Sequence, residues 1–210
     1  ELPGGIHVEQ CPLLRNFNGF EGITSVGADW NGLSLYIYDN QALESIAGLS
    51  GLTGELPGSI YIKWCNSLRN LNGLQNITSV GKDSFGRSLY ISNNQALESI
   101  AELGGLTGEL PGIIHVSDCP SLRNLNGLQN ITVGTDLGGR SLFIYANPAL
   151  ESIAGLSGLT GELPGIIEID TCNSLRNLNG FEGITSVGTD SNALSLDISK
   201  NPALESIAGL

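Results

Sequence analysis

The sequence predicts an all-β fold, a parallel β-solenoid of eight rungs with little or no helix, and three observations lead there. First, one phrase, L-x-I-x-x-N-x-x-L-x-x-I, read most plainly at Ser88–Ile100, recurs eight times with Asn or Cys in its sixth place. Those residues are Cys11, Asn40, Cys65, Asn94, Cys119, Asn147, Cys172 and Asn201, at spacings of 29, 25, 29, 25, 28, 25 and 29. A fixed period of this size marks a stack in which each turn buries its apolar edge only against its neighbours. Second, Leu89 and Ile91 flank Tyr90 with the period of two that a strand with one buried face requires. Third, no stretch keeps a helical period over the roughly ten residues a helix needs.

The rungs pair into four units on a 54-residue period, 1–54, 55–108, 109–161 and 162–210, opening at Glu1, Glu55, Glu109 and Glu162. The last starts one residue early because Ile131-Thr132-Val133 lacks the serine of Ile77-Thr78-Ser79-Val80. In each unit Pro3, Pro57, Pro111 or Pro164 precedes a Gly, a turn signal leading into the first strand. One strand per rung follows, its inward pair being Ile6/Val8, Leu35/Ile37, Ile60/Ile62, Leu89/Ile91, Ile114/Val116, Leu142/Ile144, Ile167/Ile169 and Leu196/Ile198. At a parallel spacing of about 4.8 Å, eight rungs make a rod roughly 35–40 Å long. Gly is about twice its usual abundance, which suits a chain that turns several corners per rung.

Two further columns follow from in-register stacking. The Cys/Asn column lies where the chain leaves each strand, and a buried Asn there can satisfy otherwise orphaned backbone groups of adjacent turns. Cys is small and tolerates burial in the same place. At the surface, Arg15, Glu44, Arg69, Glu98, Arg123, Glu151, Arg176 and Glu205 alternate in sign. Stacked directly, they form a continuous ladder of ion pairs that resists a one-rung slip.

The phrase is close to the leucine-rich-repeat signature. With Gly73-Leu74-Gln75-Asn76-Ile77-Thr78-Ser79-Val80-Gly81 ahead of Ser88-Leu89-Tyr90-Ile91-Ser92-Asn93-Asn94, the chain resembles the receptor L-domain family over essentially its whole length. That family includes ligand-binding lobes of growth-factor-type receptors and related surface glycoproteins. The resemblance implies a right-handed, helix-poor solenoid in an extracellular or cell-surface setting. The rungs here are much closer to copies of one another than receptor rungs are.

The net charge of −12 argues against nucleic acid and anionic membranes as partners, and no apolar run is long enough to span a bilayer. The four Cys are two rungs, about 10 Å, apart in one column, beyond bridging reach, and read as buried free thiols. No metal or cofactor is expected. Asp29, Asp83, Asp136 and Asp190 recur after Val-Gly and read as turn formers, since one carboxylate per loop does not supply a Ca²⁺ site. No catalytic constellation emerges: Gly81-Lys82 leads to Asp83, not Ser/Thr, and His7 and His115 lie four rungs apart as strand surface residues.

Asn76-Ile77-Thr78 and Asn130-Ile131-Thr132 are N-glycosylation sequons in equivalent loops. The outward strand position reads His7, Tyr36, Tyr61, Tyr90, His115 and Phe143, then Glu168 and Asp197, an exposed aromatic column and the first place to look for a partner. Thr24, Thr78, Thr132 and Thr185 form one Thr column, and Thr53, Thr107 and Thr160 another. The phrase at Glu1 occurs elsewhere inside the array, and Leu210 stops in mid-phrase. That predicts a longer array, or head-to-tail stacking on copies of itself. The expected role is an extracellular structural or adhesive repeat forming a stiff rod or filament. The alternative is a receptor-like module whose aromatic face binds a glycan or protein, and the third is an ice-binding solenoid.

Overall fold

A computed structural model describes residues 1–210. It contains β1 (Ile6–Glu9), β2 (Leu33–Tyr38), β3 (Gly54–Leu56), β4 (Ser59–Lys63), β5 (Ile77–Val80), β6 (Arg87–Ser92) and β7 (Gly108–Leu110). These are followed by β8 (Ile113–Ser117), β9 (Ile131–Val133), β10 (Arg140–Tyr145), β11 (Thr160–Leu163), β12 (Ile166–Asp170), β13 (Gly183–Val187) and β14 (Leu196–Ser199). Eight strands form one parallel sheet in the order β1-β2-β4-β6-β8-β10-β12-β14, one per rung. The rest pair as β3–β5, β7–β9 and β11–β13 at another side of the coil. The chain is therefore an all-β parallel solenoid of eight turns.

The inward column is in the register the repeat requires, Ile6 against Leu35, then Ile60, Leu89, Ile114, Leu142, Ile167 and Leu196. Most of these side chains, with corner residues such as Leu97 and Ile100 and the small sheets' Leu56, Ile77 and Val80, join one core of 46 buried residues. The only helix is three short 3₁₀ turns, Ala47–Gly51, Ala101–Gly105 and Ala154–Leu156. Each starts where a Ser hydroxyl (Ser45, Ser99 or Ser152) accepts from the N–H two residues on, at 3.1–3.2 Å.

The Asn column satisfies backbone groups of the adjacent turn, as expected. Asn94 Oδ1 accepts from the Cys65 N–H at 2.9 Å, and its Nδ2 donates to the Ile62 carbonyl at 3.0 Å. Asn40, Asn147 and Asn201 repeat both bonds on Cys11/Val8, Cys119/Val116 and Cys172/Ile169. Each Asn thus staples its rung to the Cys rung before it. The chain reaches this position through a left-handed residue in every rung: Gln10, Asp39, Trp64, Asn93, Asp118, Ala146, Thr171 and Lys200 all have φ between 51° and 58°. Not one is glycine, although an L-residue there costs about 1–2 kcal/mol.

A buried serine also stitches neighbouring rungs. The register shifts at Leu33/Leu35, Arg87/Leu89 and Arg140/Leu142, leaving Ser34, Ser88 and Ser141 as the bulged residues. Their hydroxyls accept from the N–H of Gly58, Gly112 and Gly165 at 2.8–2.9 Å. Glycine is required at these partners, because a Cβ on Gly58 would meet the Gly32 carbonyl oxygen at 2.4 Å. On the opposite side, β3–β5 and β11–β13 each carry one bulge, with Thr78 and Thr185 unpaired. The pair β7–β9 has none. The serine missing between Thr132 and Val133 removes that bulge, and the main-sheet register continues unchanged.

The charge ladder departs from the expected form. Arg15–Glu44 (2.8 Å), Arg69–Glu98 (2.7 Å) and Arg123–Glu151 (3.6 Å) pair within units. Between units no pair of this column closes to 4.0 Å, and the Arg176 carbonyl accepts only the Glu205 N–H. The ladder is a set of separate rungs, because Arg15, Arg69 and Arg123 each turn toward the following Glu alone. At the last rung burial falls away: Leu196 is 36% exposed and Ile207 64%, where Leu89 and Ile100 are buried.

Candidate functional site

The outward residues of the main sheet stack in register as His7, Tyr36, Tyr61, Tyr90, His115 and Phe143. Successive ring centroids lie 5.0, 5.0, 4.5, 4.2 and 4.5 Å apart, and Tyr61 and Tyr90 are parallel to within 4°. The column is therefore not the exposed platform its sequence suggests. Only His7 is exposed, since each inner ring is covered on both faces by its neighbours. What remains open is ring edges and phenol hydroxyls. Burial raises the phenol pKa of Tyr36 and, much more, of Tyr61, so both stay protonated hydrogen-bond donors.

His115 also differs from a surface histidine. It is half-buried between Tyr90 and Phe143, and burial, then the nearby Arg140 and Arg87 guanidinium groups, push its pKa down to about 3. It is a neutral ring in a stack.

A wall rises beside this floor. The connectors that open at Asp29, Asp83, Asp136 and Asp190 are tight turns, each Asp Oδ1 accepting two backbone N–H groups two and four residues on, at 2.7–2.9 Å. That is the turn-forming role their recurrence suggests. The turns also reach each other over 54 residues: the Ser84 N–H donates to the Asn31 carbonyl at 2.8 Å, and the Leu137 N–H to Phe85 at 3.3 Å. Stacked this way, they expose Trp30 (91%), Phe85 (58%) and Leu137 (81%) in a row.

Two arginines join wall to floor. Arg87 Nε donates to Asp83 Oδ2 at 2.7 Å, and its guanidinium lies 4.6 Å from the Tyr90 ring and 4.7 Å from Phe85. Arg140 repeats this with Asp136 at 3.0 Å and Phe143 at 4.9 Å. A trough of about 530 Å³ runs from His7 and Asp29 past Trp30 to Phe85. A second of about 340 Å³ continues from Phe85 and Arg87 over His115 to Leu137. Together they are one groove along the rod. At its first-rung end Asp29 Oδ2 is buried with no hydrogen-bond partner. His7 Nε2 approaches it to 3.2 Å but is not aligned for a hydrogen bond.

Sequence reading found the floor and missed the wall. The available signal was Trp30, Phe85 and Leu137 within otherwise polar, Gly-rich connectors, and the changes of side chain there between near-copied units.

The other candidates lie away from the groove. All four Cys are free; Cys65, Cys119 and Cys172 are buried, and burial pushes their thiols up to about 11, 12 and 11. Cys11, in the first rung, is exposed, which corrects the expectation that all four are buried: the rung has no neighbour on its outer side. Asn76 and Asn130 are exposed in turns immediately before β5 and β9. The seven Thr are all exposed, but Thr78 and Thr185 sit on bulges and Thr132 pairs directly with the exposed Glu109. That surface is neither regular nor uncharged. No group of three or more His, Cys, Asp or Glu is placed to hold a metal ion, and no helix is long and apolar enough to cross a membrane.

No model of a known protein family matches the sequence, and comparisons with curated proteins and with solved structures give no match.

Proposed function

We propose that this chain is an adhesive module of the cell exterior, a stiff solenoid that holds an elongated partner along the groove rather than transforming a substrate. The observation that carries this reading is where the units differ. Core and Asn/Cys staples are repeated almost letter for letter, whereas the outward strand residue and the connector tips, which make the groove, are among the positions that change from unit to unit. Binding rather than chemistry is favoured because His115 is held neutral and the buried thiols are held protonated. The exposed sequons Asn76 and Asn130 support an extracellular setting, and the receptor L-domain resemblance points the same way.

The test is retention on immobilised polymers, a panel of polysaccharides and extended peptides, for wild type and for Trp30→Ala/Phe85→Ala/Leu137→Ala. Loss of retention in the triple variant, with an unchanged melting temperature, supports the reading. Equal retention of both proteins on every polymer refutes it.

A second reading, end-to-end stacking into a longer rod, is favoured by the apolar surface of the outermost rungs, where Leu13 is 88% exposed and Ile207 64%. An open apolar edge of this kind is covered by another copy. Sedimentation that stays monomeric at high concentration counts against self-stacking.

A further inference from the structure

The dimensions and charges of the groove narrow its partner to one class, an inference that rests on the groove being a binding site. Trp30, Phe85 and Leu137 come one to each of the first three units, Phe85 one residue later in its turn than the other two, and so on every second rung. Two rungs of a parallel sheet span about 9.6 Å. A polyproline II helix turns once in three residues of about 3.1 Å each, a repeat of about 9.3 Å. The wall and such a helix therefore stay in step over the two turns that the three residues mark.

The floor fits the same partner. Polyproline II has no internal hydrogen bonds, so its carbonyls are free to accept. Tyr36, Tyr61 and Tyr90 line the groove, and no hydrogen bond within the chain engages their phenol hydroxyls; burial holds Tyr36 and Tyr61 protonated. A sugar ring, by contrast, stacks on an aromatic face, and the floor's faces are closed by rings 4.2–5.0 Å away. Charge adds a direction. At the first-rung end Glu9 and Asp29 line the trough, with the buried Asp29 Oδ2 3.2 Å from His7 Nε2. Glu9 is exposed there, and an acidic end of the trough favours a cationic side chain of the partner.

We propose that the groove binds a basic, proline-rich segment in the polyproline II conformation. Its prolines sit between Trp30 and Phe85 over Tyr36 and Tyr61, and an Arg or Lys side chain reaches Asp29 and Glu9. Aromatic-lined grooves that exploit this pre-extended helix are an established mode of peptide recognition.

The chain has two tryptophans, so Trp64→Phe leaves Trp30 as a single fluorescent reporter in the groove wall. That variant is titrated with the peptide (Arg-Pro-Pro)₃, with (Arg-Gly-Ser)₃ of equal charge, and with chitohexaose. The expected result is a saturable blue shift with the proline peptide and binding about tenfold weaker with the glycine-serine peptide. Asp29→Asn should weaken the proline peptide about fivefold, and Trp30→Ala, read by calorimetry, should abolish binding at unchanged melting temperature. Equal binding of the two peptides overturns the proposal, because charge alone would then explain it. Binding of chitohexaose at Trp30 without binding of the proline peptide overturns it too, while leaving the groove reading intact. If no peptide or sugar in this titration, and no polymer on the retention panel, engages Trp30, both fall.

Discussion

Two columns run the length of the main sheet, the asparagines inside and the aromatic rings outside, and stacking treats them differently. Asn94 directs both ends of its amide along the rod, at Cys65 and Ile62, and the neighbouring rung engages each of them. The rings direct only their faces along the rod. Tyr61 and Tyr90 close on one another at 4.5 Å, but no hydrogen bond within the chain engages either hydroxyl. A one-dimensional stack settles groups aimed along its axis and leaves those perpendicular to it for a partner. The inner column can therefore be copied, and the outer one can vary.

Removing an inner staple is the most severe way to test that contrast. Asn94→Ala leaves a buried N–H and a buried carbonyl unpaired, at about 1–3 kcal/mol each, so a loss of about 2–5 kcal/mol in urea unfolding is expected. Asn201→Ala, in the partly open last rung, should lose less than half of that. Equal losses would mean that burial by neighbours is not what gives the staple its strength.

The next effect is on the outer column. His115 is neutral when folded, with its pKa near 3, whereas the unfolded chain takes up a proton below about pH 6.5. The unfolded state then binds more protons, so stability falls as pH drops from about 6.5 toward the folded pKa. Wild type should lose about 2–3 kcal/mol more than His115→Phe between pH 7 and pH 4 in parallel urea titrations. Identical pH profiles would show that the ring is not held between its neighbours.

Smaller changes sharpen the picture. Ala146→Gly relieves a left-handed residue at φ 51° and should stabilise by about 0.5–1 kcal/mol in thermal unfolding. A double-mutant cycle on Arg69 and Glu98, 69% and 55% exposed, should return about 0.5 kcal/mol and shrink with salt.

Much of the inner column was legible because periodicity reports directly on what lies above and below each residue. Asn94 under Ile62, Leu89 beside Ile60 and the Asp83 turn all follow from the repeat. Three features did not. The left-handed residues were hidden because Trp64, Ala146 and Thr171 carry no preference for that conformation. Ser34, Ser88 and Ser141 look like ordinary strand residues until the shifted register shows that each is a bulge. The wall depends on connectors touching across 54 residues, as Ser84 does Asn31, and no local pattern encodes that contact. The charge ladder was half legible: sign alternation gave Arg69–Glu98 but could not say that Arg69 would leave Glu44 to Arg15 alone.

The bulges at Thr78 and Thr185, and the absence of one between Thr132 and Val133, show how such an array tolerates imperfect duplication. A rod made of copied segments will gain and lose single residues, and in an ordinary sheet each such slip would turn a strand inside out. Here the minor sheets act as expansion joints, taking up one residue of slack within a single turn. The eight principal strands, and the groove they carry, stay aligned across a seam that the gene did not keep even.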